Sequence, residues 1–176
     1  MRNGEPEGAN ALDEETLAFA RRVFDHARAG RAQDLAELLG MGLPPNLRNE
    51  KGDSLLMLAC YHGHADAARV ILEHGGDPEL ANDRGQTPLA AGAFKGDAAV
   101  VRLLLERGAD VNGSGPDGKT ALMIAAMFDW TEIVDLLLAS GADVHARDAR
   151  GLSAAEAARQ MGAANAFEQL TRAGRG

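Results

Sequence analysis

Apolar triplets return along the chain at a fixed interval. Val70-Ile71-Leu72, Leu103-Leu104-Leu105 and Leu136-Leu137-Leu138 stand 33 residues apart, with Val100-Val101 and Ile133-Val134 one helical turn ahead of the last two. That i, i+3, i+4 spacing gives an α-helix one broad buried stripe. Glycine keeps the same period. Gly52, Gly85, Gly118 and Gly151 form one series, and Gly42, Gly75, Gly108, Gly141 and Gly174 a second. Gly30, Gly63, Gly96 and Gly162 form a third, interrupted at Asp129. So strict a period predicts one small unit stacked about five times, an architecture that presents binding surfaces. The units run over 16–48, 49–81, 82–114, 115–147 and 148–176. Residues 1–11 are polar and outside the period, and we expect a disordered tail there, ahead of a single domain over 12–176.

Each unit is expected to open on a turn, such as Asn82-Asp83-Arg84-Gly85 or Pro116-Asp117-Gly118, where glycine supplies the positive φ. Ser54, Thr87, Thr120 and Ser153 follow as N-caps of a short first helix, with Pro88 at a first helical position in one copy. Small residues recur in that helix (Ala59, Gly92, Ala125, Ala158), as close side-by-side packing requires. The first helix ends near Gly63, Gly96 or Gly162, glycine being the residue best suited to a left-handed C-terminal position. A second, more apolar helix stops at Gly75, Gly108 or Gly141 and passes through an extended link, GADVN or GADVH, to the next turn. The ends of the stack read differently. Glu37 and Gln169 stand where the middle units place Val70, Leu103 and Leu136, Thr171 where they place leucine, and Arg159 where they place Ala93 and Ala126. Those polar exchanges predict that the outer two units act as caps.

The strings GQTPLAAGAFKGDAAVVRLLLERGADVN (85–112) and GKTALMIAAMFDWTEIVDLLLASGADVH (118–145) closely resemble ankyrin repeats, and the likeness covers roughly residues 16–174. The resemblance implies an all-α ankyrin-repeat solenoid, a right-handed stack of helix-turn-helix units with hairpin-like loops projecting at one edge. It also implies a non-catalytic scaffold that holds a partner protein on its concave face and hairpin tips. Carried onto this chain, the tip positions are Glu50, Lys51, Asp53, Asp83, Arg84, Gln86, Pro116, Asp117 and Lys119, and the helix positions are Tyr61, His62, Phe94, Lys95, Met127 and Phe128. The histidine of the family's T-P-L-H motif is missing; Met57, Ala90, Met123 and Glu156 take its place, which should loosen the individual repeats.

Composition sharpens this picture. Only seven aromatic residues occur in the 176, and Tyr61, Phe94, Phe128 and Trp130 fall in the implied binding zone. Tyr61, Phe94 and Met127 share one repeat position, so stacking would set them in a row, with Phe128 and Trp130 beside its third member. Such side chains anchor partner surfaces, or they fold back on one another as a satellite core. Asp129-Trp130 is the largest break in the pattern; it marks either a ligand contact or a tolerated substitution whose indole packs over the turn. The alternative function follows from the same place: an accessory or small-ligand-binding protein with a pocket near Phe128, Asp129 and Trp130.

The net charge of −8 argues against nucleic acid and against an anionic membrane surface, both of which are held by clustered Lys and Arg. No apolar run is long enough for a membrane helix or a secretory leader, so we expect a cytoplasmic protein, and a monomer. The richness in Ala, Gly and Arg suggests a high-GC bacterial source. Cys60, His62 and His64 superficially resemble metal ligands, but on the repeat map they diverge, and a closed zinc site needs four that converge. No nucleophile motif, phosphate-binding loop or dinucleotide fingerprint is present, and we expect no catalytic residues and no cofactor.

Overall fold

A computed structural model describes residues 7–175. Ten helices follow in chain order: α1 Glu7–Ala29, α2 Ala32–Gly40, α3 Leu55–Tyr61, α4 Ala65–Glu73, α5 Pro88–Lys95, α6 Ala98–Glu106, α7 Ala121–Met127, α8 Thr131–Ala139, α9 Ala154–Met161 and α10 Ala164–Ala173. They pair within units, and like packs on like between them. The first helices form one layer, α1 on α3, α3 on α5, α5 on α7 and α7 on α9; the second helices form another, α2 on α4 through to α8 on α10. One continuous core lies between the layers, built from the predicted triplets and small residues: Ile71, Leu104, Leu137, Ala59, Ala125 and Ala158 are all fully buried. At Gly92 even a methyl group would fall 2.9 Å from Val100 Cγ1, so any side chain there would force this α5–α6 contact to shift.

The caps stand where the pattern places them. Ser54 Oγ accepts from Met57 N at 3.0 Å, Thr87 Oγ1 from Ala90 N at 3.2 Å, and Thr120 Oγ1 from Met123 N at 3.3 Å. Ser153 and Glu156 close a reciprocal capping box, so Glu156 performs a capping role in the place of the missing histidine. Met57 and Met123, at the same position, are buried in the core. Between units, strands are reduced to the single antiparallel bridges Arg48–Ser54 and Ser114–Thr120, among the described residues.

The N-terminus differs from the expectation. α1 spans 23 residues and takes in residues 7–11, which the sequence reading assigned to a disordered tail; residues 1–6 lie outside the described residues. It also runs straight through the place where the first unit was expected to open on a turn. The reason is local: Phe19 and Arg21 occupy the positions held by Gly52 and Ser54 in the next unit, so no glycine or hydroxyl stops the helix. At the other end Arg159 is exposed where Ala93 and Ala126 are fully buried, and Gly174 continues its series only in sequence, with φ −76° in place of the positive angle of Gly75, Gly108 and Gly141.

Polar side chains stitch one unit to the next. Asn46 Nδ2 donates to Gly75 O at 3.2 Å and its Oδ1 accepts from Asp77 N at 2.8 Å. Asn112 repeats the arrangement on Gly141 O and Asp143 N, and Glu79 Oε1 accepts from Asp110 N. Asp77, Asp110 and Asp143 then cap the turn two residues on, at Glu79, Asn112 and His145.

Candidate functional site

Three tips and three first helices enclose a groove of about 960 Å³. Its walls are hairpin loops folded by side-chain acceptors, an Asn on the repeat period at the first two tips and, where Gly115 takes that place, Asp117 Oδ1 accepting from Lys119 N at the third. Asn49 Oδ1 accepts from Lys51 N and Asp53 N, Asn82 Oδ1 from Arg84 N and Gln86 N, and Asp148 Oδ1 from Arg150 N and Leu152 N in the last unit. The N–H of Leu152, then those of Arg150, hold the Asp148 carboxyl below the ordinary carboxylate range. Tips also bond to each other: Asp83 N donates to Lys51 O, Ala149 N to Asp117 O, and Arg48 pairs with Asp83 at 2.9 Å.

The floor comes from α3, α5 and α7, and no residue of α4, α6 or α8 lines it. Tyr61 and Phe94 are stacked, centroids 5.8 Å apart and 12° between planes, and Phe128 meets Phe94 edge-on at 5.4 Å. Phe94 thus touches both of the other rings, and Tyr61, Phe94 and Phe128 still keep 48%, 48% and 41% of their surface exposed. Met127, which shares the repeat position of Tyr61 and Phe94, is partly buried, and Phe128 is the ring that continues the row.

Tyr61, His62, Phe94, Met127, Phe128, Asp53, Arg84, Gln86 and Lys119 all line this groove; Lys95 and Trp130 do not. Several tip candidates are already engaged. Asp53 accepts from Asn82 Nδ2 at 2.9 Å, Gln86 Oε1 accepts from the same amide at 3.1 Å, and Lys119 pairs with Asp117 at 2.7 Å. That bond to Lys119 holds the Asp117 carboxyl below its ordinary value. Arg84 makes no side-chain bond among the described residues. His62 stacks edge-on against Tyr61; burial first, then the charges of His64, Lys95 and Arg28, hold its pKa below the ordinary histidine value. Asn49 and Asn82, which shape two of the three tips, were missed as site residues, although their recurrence on the repeat period was a usable signal.

Trp130 belongs to a different contact. It opens α8, and its ring lies on Gly96 of the preceding unit, where a methyl group would fall 2.6 Å from Cε2; His64 covers Gly30 in the same way. The indole thus packs over a turn while Phe128 faces the groove. Asp129 itself keeps the left-handed backbone of the glycines it replaces, at φ 59°. Its carboxylate reaches the next unit, accepting from Ala166 N at 2.7 Å and Asn165 Nδ2 at 2.8 Å. Ala163 explains why this is possible. It stands where His64, Asp97 and Trp130 cover the glycine of the unit before, is too small to crowd Asp129, and cannot cap α10 itself.

Cys60 is fully buried, and burial pushes its thiol far above the ordinary range. Among the described residues no group of three or more His, Cys, Asp and Glu is placed to hold a metal ion, and no helix is long and apolar enough to cross a membrane.

A layered stack of helix pairs, linked by Asx-turned hairpin tips and capped by hydroxyls at α3, α5, α7 and α9, is a helical repeat solenoid. The family model for ankyrin repeats (three copies) matches residues 24–115, and the single ankyrin repeat model matches 117–149; the chain belongs to the ankyrin repeat family. A Pseudomonas aeruginosa protein named as an ankyrin repeat protein is 64% identical over 59 residues. That match spans about a third of the relative's length, 34% of each chain. Ankyrin repeats are generally protein–protein interaction modules and are typically non-catalytic.

Proposed function

We propose that the chain is a non-catalytic scaffold that docks a partner protein in the groove between the hairpin tips and the first helices. One observation carries the reading: Tyr61, Phe94 and Phe128 form a continuous aromatic row that is left about half exposed, inside the largest concentration of aromatic side chains in the molecule. Large exposed apolar side chains in contiguous patches mark interaction sites, whereas scattered ones do not. Rings held by each other lose little further freedom on binding, so the contact area they bury is gained at low entropic cost. The tips then set orientation, because Asn49 and Asn82 fix their backbones before any partner arrives.

Affinity capture from the source organism's lysate tests this, comparing the native chain with a Tyr61→Ala/Phe94→Ala/Phe128→Ala variant whose helicity is checked by circular dichroism. Proteins retained by the native chain and lost by the variant are the expected result. For a purified partner, Phe94→Ala alone should cost about 2 kcal/mol of binding. Equal retention by both chains would reduce the row to ordinary packing.

A further inference from the structure

We infer that the segment this groove takes from its partner is acidic, a peptide stretch whose carboxylates meet the hairpin tips while an aromatic or aliphatic side chain sets against Phe94; the inference rests on the docking reading above. The chain as a whole carries a net charge of −8, yet the groove is lined by four Lys and Arg against three acids. The acids are largely engaged: Asp53 is held by the Asn82 amide and Asp117 by Lys119. Two groove cations are free. Neither Lys51 nor Arg84 makes a side-chain hydrogen bond or ion pair among the described residues, and both are exposed at adjacent tips. Lys95, exposed and equally unpaired, stands beside the ring row next to Phe94 and adds its charge at His62. Glu50 is the remaining acid on the walls. An aromatic floor edged by unpaired cations, on an otherwise acidic molecule, is complementary to an acidic and apolar segment and repels a basic one. Lys51 and Arg84 lie on tips fixed by the Asx turns, so their backbones are already in place, and an arginine there can take a carboxylate through two parallel N–H bonds.

The test selects short random peptides, displayed on phage, against the immobilised full chain. Selected peptides are then synthesised and titrated by fluorescence anisotropy against the native chain, a Phe94→Ala variant and a Lys51→Glu/Arg84→Glu variant. Because neither cation has a partner to lose, the double reversal should melt as the native chain does, and circular dichroism checks that it does. We expect selected peptides with a surplus of Asp and Glu around a Phe, Trp or Leu. They should lose about tenfold in affinity on the double reversal, and the loss should shrink at high salt. Neutral or basic peptides, or acidic ones indifferent to the reversal yet lost on Phe94→Ala, would overturn the charge assignment and leave the docking reading standing. Peptides indifferent to Phe94→Ala, or no selected peptide, would overturn both. A DNA oligonucleotide and an unlabelled second copy of the chain serve as competitors; displacement by either at comparable concentration would overturn the assignment to an acidic peptide.

Discussion

Asp129 shows how a single residue can break a repeat and strengthen it. A left-handed backbone costs a residue with a Cβ roughly 1–2 kcal/mol, which is why glycine holds the equivalent places. Here the carboxylate offsets that cost by bonding Ala166 N and Asn165 at the start of α10, a helix whose own N-cap, Ala163, has nothing to offer. Asp129→Ala keeps the strain and removes the bonds, and should destabilise the chain by about 1–3 kcal/mol. Asp129→Gly relieves the strain but also leaves α10 uncapped, so its loss should be smaller, on the order of 1 kcal/mol or less. Asn, which tolerates this backbone and keeps an acceptor, should be nearly neutral. Urea melts of the three variants decide the point; Asp129→Ala melting as the native chain does would show that the bonds to α10 contribute nothing.

Helices, caps and second-helix stripes were legible because each depends on residues close in sequence: a hydroxyl three positions before an N–H, apolar side chains at i, i+3 and i+4. What joins one helix pair to the next was not. Asn46, Glu79 and Asn112 each bond the backbone of the following unit, 29 to 31 residues away, a contact that no local spacing marks. The length of α1 escaped for the opposite reason, since the reading carried a turn into a unit that lacks the glycine to make one. In the groove, the aromatic row was legible as a periodic set, but Phe128 in place of Met127 as its third ring depends on where side chains point at a helix end. The repeats' mutual dependence can be measured at α6. Leu104 is fully buried, and Leu104→Ala should cost about 2–5 kcal/mol through the cavity it leaves. Since each unit touches only its neighbours, the same change should let the two halves unfold separately, seen as a broadened urea transition with a reduced slope. A single transition of unchanged slope would contradict the second part.

Stacking turns these local rules into a surface. The second helices, with their exposed charged side chains, form one side of the molecule, while the first helices and the tips carry the aromatic row and the free groove cations, Lys51 and Arg84, on the other. No individual unit holds such a site; it exists only because the period brings Tyr61, Phe94 and Phe128 into contact and sets Lys51 and Arg84 on neighbouring tips. The most direct test places a photo-crosslinking amino acid at Phe94 in the groove and, separately, at exposed Glu106 on α6, and irradiates each chain in cells of the source organism. The account predicts a discrete crosslinked partner from position 94 and none from position 106. The same partner captured equally from both positions, or from 106 alone, would contradict it.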